Sequence, residues 1–252
     1  MGIGSKLGVF AVSGVSTAGA SYTNEYSIDF DGTNDHVDGG NVTSLNGSVT
    51  ASWSFWVKRD DVTRFEVPVS QYGAGDDRLF QFRFVGNNRI DVLIKGAAMW
   101  KDTSLNVTFA NDTWYHMVLT YNGATSGGAN KCNLYIDSVK ETNAGGANIT
   151  TLPSSTTNFQ FGRLQSNASS FNNYFDGHVD EVAWFDIELN QSQVDALYNS
   201  GVPTDLTDHT GLTDWWRCGD DDSGTGTTLT AAVGGVDGTL TNGAAYAEDV
   251  PE

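Results

Sequence analysis

Carboxylates are the reactive groups this sequence has in quantity. It carries 31 Asp and Glu against 13 Lys and Arg, for a formal net charge of −18. Asp29, Asp31, Asn34 and Asp35 are grouped around Gly32. Hard oxygen donors beside a glycine turn are what Ca²⁺ takes, so these residues, with Asp180, are the candidate calcium ligands. The spacing is not that of an EF-hand loop, because Gly32 comes two positions too early after Asp29. Asp31-Gly32 and Asn34-Asp35 equally have the chemistry of a plain turn. Asp220, Asp221 and Asp222 form a second acidic group, either a solvated turn or one whose like charges a cation would relieve.

Carboxylates also serve catalysis when paired. A retaining glycosidase needs two of them about 5 Å apart in one cleft, which on a strand requires i, i+2 spacing. Asp180 and Glu181 are adjacent, and adjacent residues of a regular strand face opposite ways. Asp186 and Glu188 have the spacing, but they lie just before a helix, in what reads as a solvated turn. The four histidines (His36, His116, His178, His209) are scattered, and no G-x-S-x-G elbow occurs. A Ser-His-Asp arrangement assembled through space stays open. Cys132 and Cys218 are too far apart in sequence for a disulfide framework or a zinc site, and read as small core fillers or a single bridge. We expect a protein that is not an enzyme.

Recognition of a glycan would need aromatic and amide groups at a loop rim. Trp100, in Ala98-Met-Trp-Lys-Asp, and Tyr174, after Asn172-Asn173, are the best placed, although either also suits the edge of a sandwich. Sequons at Asn41, Asn106 and Asn148 arise readily by chance in so Asn- and Thr-rich a chain. The acidic balance argues against a nucleic-acid groove or an anionic membrane surface. No stretch approaches the roughly 20 apolar residues of a membrane span.

The elements that must position these groups are mostly strands. Tyr26-Ser-Ile-Asp-Phe-Asp-Gly alternates Tyr26, Ile28 and Phe30 with Ser27, Asp29 and Asp31. Similar runs occur at 52–58, 78–85, 89–95, 114–121, 131–137, 159–162 and 178–185, bounded by turn residues such as Asn122-Gly. Trp56, Trp114, Tyr135 and Trp184 are expected to face a shared interior. One segment reads as helix: Asn190 caps it, Gln193 completes a capping box, and Val194, Leu197 and Tyr198 form its apolar stripe before Gly201 and Pro203 stop it. The fold class is therefore all-β, an antiparallel sandwich with one short helix.

The order of these motifs resembles laminin-G-like, concanavalin A-like jelly-roll domains. Ile28-Asp-Phe-Asp-Gly-Thr-Asn-Asp-His-Val resembles their opening strand, and Ser54-Phe-Trp-Val-Lys the second. Trp114 to Gly123 followed by Leu134-Tyr-Ile-Asp-Ser is similar to the central hairpin, and Phe175 to Phe185 followed by Glu188 to Tyr198 to the closing strand and small helix. The resemblance covers about residues 26–200. It implies a two-sheet jelly roll, a calcium ion in many members, and glucan hydrolysis in those with a Glu-x-Asp-x-Glu run, which this sequence lacks. The tail, with Trp215-Trp216-Arg217-Cys218-Gly219-Asp220 and Asp237-Gly-Thr-Leu-Thr-Asn-Gly, is more loosely similar to extensions in structural proteins of tailed phages.

The organisation expected is an arm at 1–24, a jelly roll at 25–200, and an extension at 201–252 that pairs with the sandwich. Residues 1–20 are leader-like, with Lys6, an apolar run from Leu7 to Val15, and Ala18-Gly19-Ala20. Gly8, Ser13 and Gly14 dilute the run, so a retained arm is expected, with Ile3, Leu7, Val9 and Phe10 burying apolar surface on a neighbouring chain. The leading expectation is a virion structural protein, a phage capsid decoration or tail-associated component on the virion surface, whose partners are other virion proteins or copies of itself. The alternative is a secreted or surface lectin-like module that binds cell-surface glycans. A glycoside hydrolase is disfavoured by the missing carboxylate pattern.

Overall fold

Alternation of apolar and polar residues, interrupted by Gly and Asn turns, produces strands almost throughout. The computed structural model describes residues 22–74, 77–95, 97–102, 105–142, 146–167 and 170–252. The arm residues Ile3, Leu7, Val9 and Phe10 lie outside this set. In chain order the strands begin with β1 (Ser27–Asp31), β2 (His36–Asp38), β3 (Thr50–Arg59), β4 (Phe65–Tyr72), β5 (Arg78–Val85), β6 (Ile90–Ile94) and β7 (Ala97–Asp102). Next come β8 (Trp114–Asn122), β9 (Cys132–Ile136), β10 (Val139–Lys140), β11 (Gln160–Phe161), β12 (Leu164–Asn167), β13 (Ser170–Asn172) and β14 (Asp176–Phe185). After helix α1 (Gln191–Tyr198) follow β15 (Leu212–Trp216), β16 (Thr228–Leu229), β17 (Ala231–Val233), β18 (Gly238–Thr241) and β19 (Ala245–Ala247).

Two large antiparallel sheets face one another. One, of nine strands, runs β10-β9-β8-β3-β14-β1-β19, with β15 paired to β14 and β17 paired to β15. The other, of eight, runs β16-β18-β2-β11-β4-β5-β6-β7, and β12 and β13 form a separate hairpin. This is the two-sheet sandwich of a concanavalin A-like jelly roll. Its core is aromatic: Trp53 stacks on Phe80 at 4.8 Å, Phe55 meets Phe82 edge-on at 5.1 Å, and Phe159 meets Trp184 at 4.8 Å. Such pairs contribute about 0.5–1.5 kcal/mol each beyond the area they bury. Cys132 and Cys218 are not bridged to one another and are buried in this core.

Of the four aromatics expected in the interior, Trp184 alone belongs to the inter-sheet core. Strand β3 turns Trp53, Phe55 and Val57 inward, which sends Trp56 to the outer face. There it stacks against His116 at 4.8 Å and against Tyr198 of α1 at 5.9 Å. Tyr135 joins a second apolar layer on that face with Phe185, Val194 and Leu197, where the helix lies on the sheet. Trp114 is also on the outer face, its Nε1 donating to Asp249 at 3.0 Å. The helix carries its capping box, with Gln193 N–H donating to the Asn190 side chain and Gln193 accepting in return from Asn190 N–H. The tail is woven in: β15 pairs with β14, β18 with β2 and β19 with β1.

Candidate functional site

The turn after β1 is built by its own carboxylates. Asp31 Oδ1 accepts from the N–H groups of Thr33 at 2.8 Å and Asn34 at 3.4 Å, and Asp35 Oδ2 accepts from Asp31 N–H at 3.2 Å. Asp35 Oδ1 is buried with no partner, and burial holds the Asp35 carboxyl above its ordinary range. Asp29 is on the same face, 3.7 Å from His178 Nε2. Asp180 does not join them. Asp31 pairs with Asp176, so Asp180 lies four residues along β14 from the turn, roughly 13 Å away at strand spacing. Among the described residues no group of three or more His, Cys, Asp or Glu is arranged to hold a metal ion. The five candidate calcium ligands therefore do not form one cage.

Asp180 instead forms a pair with Glu181, against the expectation that the two face opposite ways. Glu181 takes φ +50°, and the register of β14 on β3 shifts between Asp180 and Ala183. The extra residue of this bulge lets Val179 and Val182 both enter the core. Both carboxylates thus come to the outer face, where residues 22–26 cover them. Tyr22 Oη donates to Glu181 Oε1 at 2.7 Å and Trp215 Nε1 to Oε2 at 2.6 Å. Asn24 Nδ2 donates to Asp180 Oδ2 at 2.9 Å. Arg217 donates to the Thr23 carbonyl, and Asp220 Oδ1 accepts from Glu25 N–H at 2.9 Å and Tyr26 N–H at 3.2 Å. Five consecutive residues are each held by a charged side chain, and we call this segment the clasp. Burial pushes Glu181 up to about 7, with Tyr22, Trp215 and Arg217 pulling the other way, and burial with the neighbouring Glu181 charge raises Asp180 well above its usual range.

A serine–histidine pair of the kind left open by the sequence is present, but it is sealed. Ser54 Oγ and His116 Nε2 are 2.8 Å apart and both residues are buried. His116 Nδ1 has no partner, so no carboxylate orients the ring, and burial pushes its pKa down to about 3. The cavity beside it measures about 10 Å³, room for about one water and none for a substrate.

An open site lies on the other sheet. A groove of about 400 Å³ crosses the outer face of β2 and β11, bounded by the β12–β13 hairpin, by Gly73, Ala74 and Asp77, and by residues 156–158. Asp38 and Gln160, paired across β2 and β11, make its polar floor. Asp38 Oδ1 accepts from Asn158 Nδ2 at 2.8 Å and from Gly40 N–H at 3.0 Å. Asp77 ties down the loop above, accepting from the hydroxyls of Ser155 at 2.5 Å and Thr156 at 2.6 Å. These hydroxyls and the Thr157 bonds outweigh burial and hold its carboxyl below the usual range. Phe171 forms a wall, with the Arg163 guanidinium 3.6 Å from its ring centre. Arg163 Nε in turn donates to Gln160 Oε1 at 2.8 Å.

Tyr174, one of the two aromatics expected at a glycan rim, does not line this groove but hydrogen-bonds Arg163, which packs on Phe171. Trp100 is on β7 opposite Val92, and its side chain lies outside the described residues. Its strand is four places from β11 in the sheet, roughly 19 Å away. Asp38, Asn158, Gln160, Arg163 and Phe171 were not picked out from the sequence. Residues 159–162 read only as a strand-like run, and no local spacing links the five.

A family model for the concanavalin A-like lectin/glucanases superfamily, of laminin-G-like type, matches residues 31–195. The chain belongs to this superfamily. No curated protein matches the sequence. Among solved structures, it is similar to a Bacteroides ovatus protein provisionally described as carbohydrate binding, with a TM-score of 0.67 and 16% identity. That alignment covers 91% of this chain, which spans 62% of the Bacteroides ovatus chain. It is also similar to the heptameric SAP-like pentraxin of Limulus polyphemus, at a TM-score of 0.55 and 12% identity over 69% of this chain and 82% of the pentraxin. At such identities the superfamily likeness is one of fold, and function has to be argued from the sites.

Proposed function

We propose that this protein is a non-catalytic carbohydrate-binding module and that the groove over β2 and β11 takes the sugar. The observation that carries the reading is the groove's composition. A sugar offers an apolar C–H face and a ring of hydroxyls that both donate and accept. Phe171 supplies a flat apolar wall, and Asp38, Asn158 and Gln165 supply acceptors and donors facing it. A volume of about 400 Å³ is within the range of small-ligand sites. The likeness to the Bacteroides ovatus structure supports the same reading, and cell-surface glycans are its partners.

The carboxylates present do not suit glycosidic cleavage. Asp77 is an ionised loop anchor with no proton to give, and Asp180 and Glu181 are buried beneath the clasp. Cleavage needs a proton donor and a second carboxylate, both reaching the substrate. The virion-assembly reading rests on arm residues outside the described set, and no feature of the sandwich favours it over a lectin-like role.

The test is a glycan array followed by titration of the best neutral oligosaccharide against the parent protein, Phe171→Ala and Asp38→Asn, with and without calcium. Loss of one stacking wall corresponds to roughly 1–2 kcal/mol, or about a 5- to 30-fold weaker affinity, with melting temperature unchanged. Binding by Phe171→Ala and Asp38→Asn at parental strength would remove the groove from the reading. Affinity unchanged by calcium chelation is expected, because the carboxylates of the β1 turn are outside the groove.

A further inference from the structure

A second cleft lies on the opposite face of the sandwich, over the clasp. It has a volume of about 430 Å³ and is lined by Tyr22, Trp215, Arg217, Asp205, Thr207 and Asp221 among others. Its wall is aromatic: the rings of Tyr22 and Trp215 are stacked 6.5 Å apart at 18°, each donating a hydrogen bond to the buried Glu181 behind them. The cleft's hydroxyls come from Thr23 and Thr207.

Two carboxylates and one guanidinium line this cleft. Asp205 Oδ1 accepts from Thr207 N–H at 2.9 Å and its hydroxyl at 2.6 Å, while Oδ2 accepts nothing from the described residues. Asp221 likewise uses only Oδ1, 3.4 Å from Arg217 Nη1. The bonds from Thr207 hold the Asp205 carboxyl below the ordinary range, so it is ionised at neutral pH. The cation lining the cleft is Arg217, and it is already surrounded. Its Nη2 donates to Asp220 at 2.9 Å and to the Thr23 carbonyl, its Nη1 approaches Asp221, and its Nε is 3.9 Å from Glu181. Arg217 therefore has little left to offer an anion, whereas Asp205 and Asp221 each have an oxygen to offer a cation. Carboxylate oxygens, hydroxyls and an aromatic wall together suit a ligand that carries an ammonium group beside hydroxyls.

We propose that this cleft is a second binding site, selective for the protonated amine of an amino sugar. The ammonium group sits between Asp205 and Asp221, and the sugar's hydroxyls reach Thr23 and Thr207. This site is independent of the groove on the other sheet, and together the two make the protein bivalent.

The experiment compares a fully deacetylated glucosamine hexamer, its N-acetylated counterpart and a glucose hexamer by calorimetry at pH 6 and low salt. The deacetylated hexamer is expected to bind about tenfold or more tighter than either other, the factor expected from one charge-assisted contact of about 1.4 kcal/mol. Screening should weaken it as salt rises. Asp221→Asn and, separately, Asp205→Asn are expected to remove that preference while leaving the melting temperature and any neutral-glycan binding at the groove unchanged. Phe171→Ala is expected to leave the deacetylated hexamer's affinity untouched, which separates this site from the groove. Equal affinity for the acetylated and deacetylated hexamers would overturn the proposal, as would undiminished preference in both Asn variants. Hexalysine binding as tightly as the glucosamine hexamer would also overturn it, showing a general acidic surface in place of a sugar site.

Discussion

Glu181→Gln keeps the shape of the buried side chain beneath the clasp and removes its titration. In the folded protein burial pushes this carboxyl to about 7, against an ordinary value of 4.5. A carboxyl raised in this way favours folding fully only below its unfolded value. Its contribution is present at pH 4.5, falls as pH climbs, and is lost once pH passes about 7. At 1.36 kcal/mol per pKa unit the whole loss is roughly 3 kcal/mol. The parent's own pH curve will not display it cleanly, because buried His116 moves stability the other way over part of the range. The difference between parent and variant cancels His116, which is common to both, and reports Glu181 together with the relief of Asp180, whose carboxyl the Glu181 charge raises. The amide can still accept from Trp215 Nε1 or Tyr22 Oη, so the two proteins should be equally stable at pH 4.5. By pH 8 the variant should be the more stable by roughly 3 kcal/mol. Urea unfolding of both at half-unit steps from pH 4.5 to 8.5 measures this directly. A gap that stays constant with pH, or a variant weaker than the parent at pH 8, would refute the reasoning, since either would mean that Tyr22, Trp215 and Arg217 together outweigh burial at this site.

Three further outcomes are expected. His116 is held neutral by burial, down to about 3, so its own contribution falls by about 2 kcal/mol between pH 6.5 and 5 as the unfolded chain takes up the proton; Glu181 offsets this in the parent, so it is the stability difference between the parent and His116→Gln, followed with pH in denaturant titrations, that should show it. Gly177 has φ +130°, and a Cβ there would stand 2.1 Å from the Lys58 carbonyl oxygen; Gly177→Ala should therefore cost roughly 3 kcal/mol, a fall in Tm of roughly 6–12 °C by calorimetry. Arg59 and Glu66 form a buried ion pair in which Arg59 also donates to the carbonyls of Gly86 and Arg64; Arg59→Met leaves the buried Glu66 carboxyl, which burial already raises to about 7, without its cation and should cost about 3–5 kcal/mol in urea unfolding, while Arg59→Met with Glu66→Met should recover most of it.

The sandwich was legible in the sequence because strand alternation is a local signal, as the run from Tyr26 to Asp31 shows. The capped helix was legible for the same reason, since Asn190 and Gln193 are one turn apart. Trp56 was misplaced because Trp53, Phe55 and Trp56 crowd four positions of one strand. What makes the outer face comfortable for Trp56 is Tyr198, which arrives far later in the chain. The Asp180–Glu181 pair was misread because the bulge is made by a glutamate at positive φ, a position that Gly or Asn would have advertised. The groove had no linear signature at all. Asp38, Asn158 and Phe171 come from separate parts of the chain and meet only when β2, β11 and the β12–β13 hairpin are assembled. Tyr174 drew notice in the sequence because an aromatic after two asparagines stands out in any loop.

The position of β14 has a consequence for how the chain is made. Strands β1 and β3 are complete by residue 59, yet the strand that fits between them spans residues 176–185. During synthesis both early strands leave the ribosome with open edges and apolar faces, and they stay so for more than a hundred residues. A chain truncated before residue 176 has nothing to place in that gap. Folding of this sheet is therefore a late and cooperative event, paced by long-range pairing.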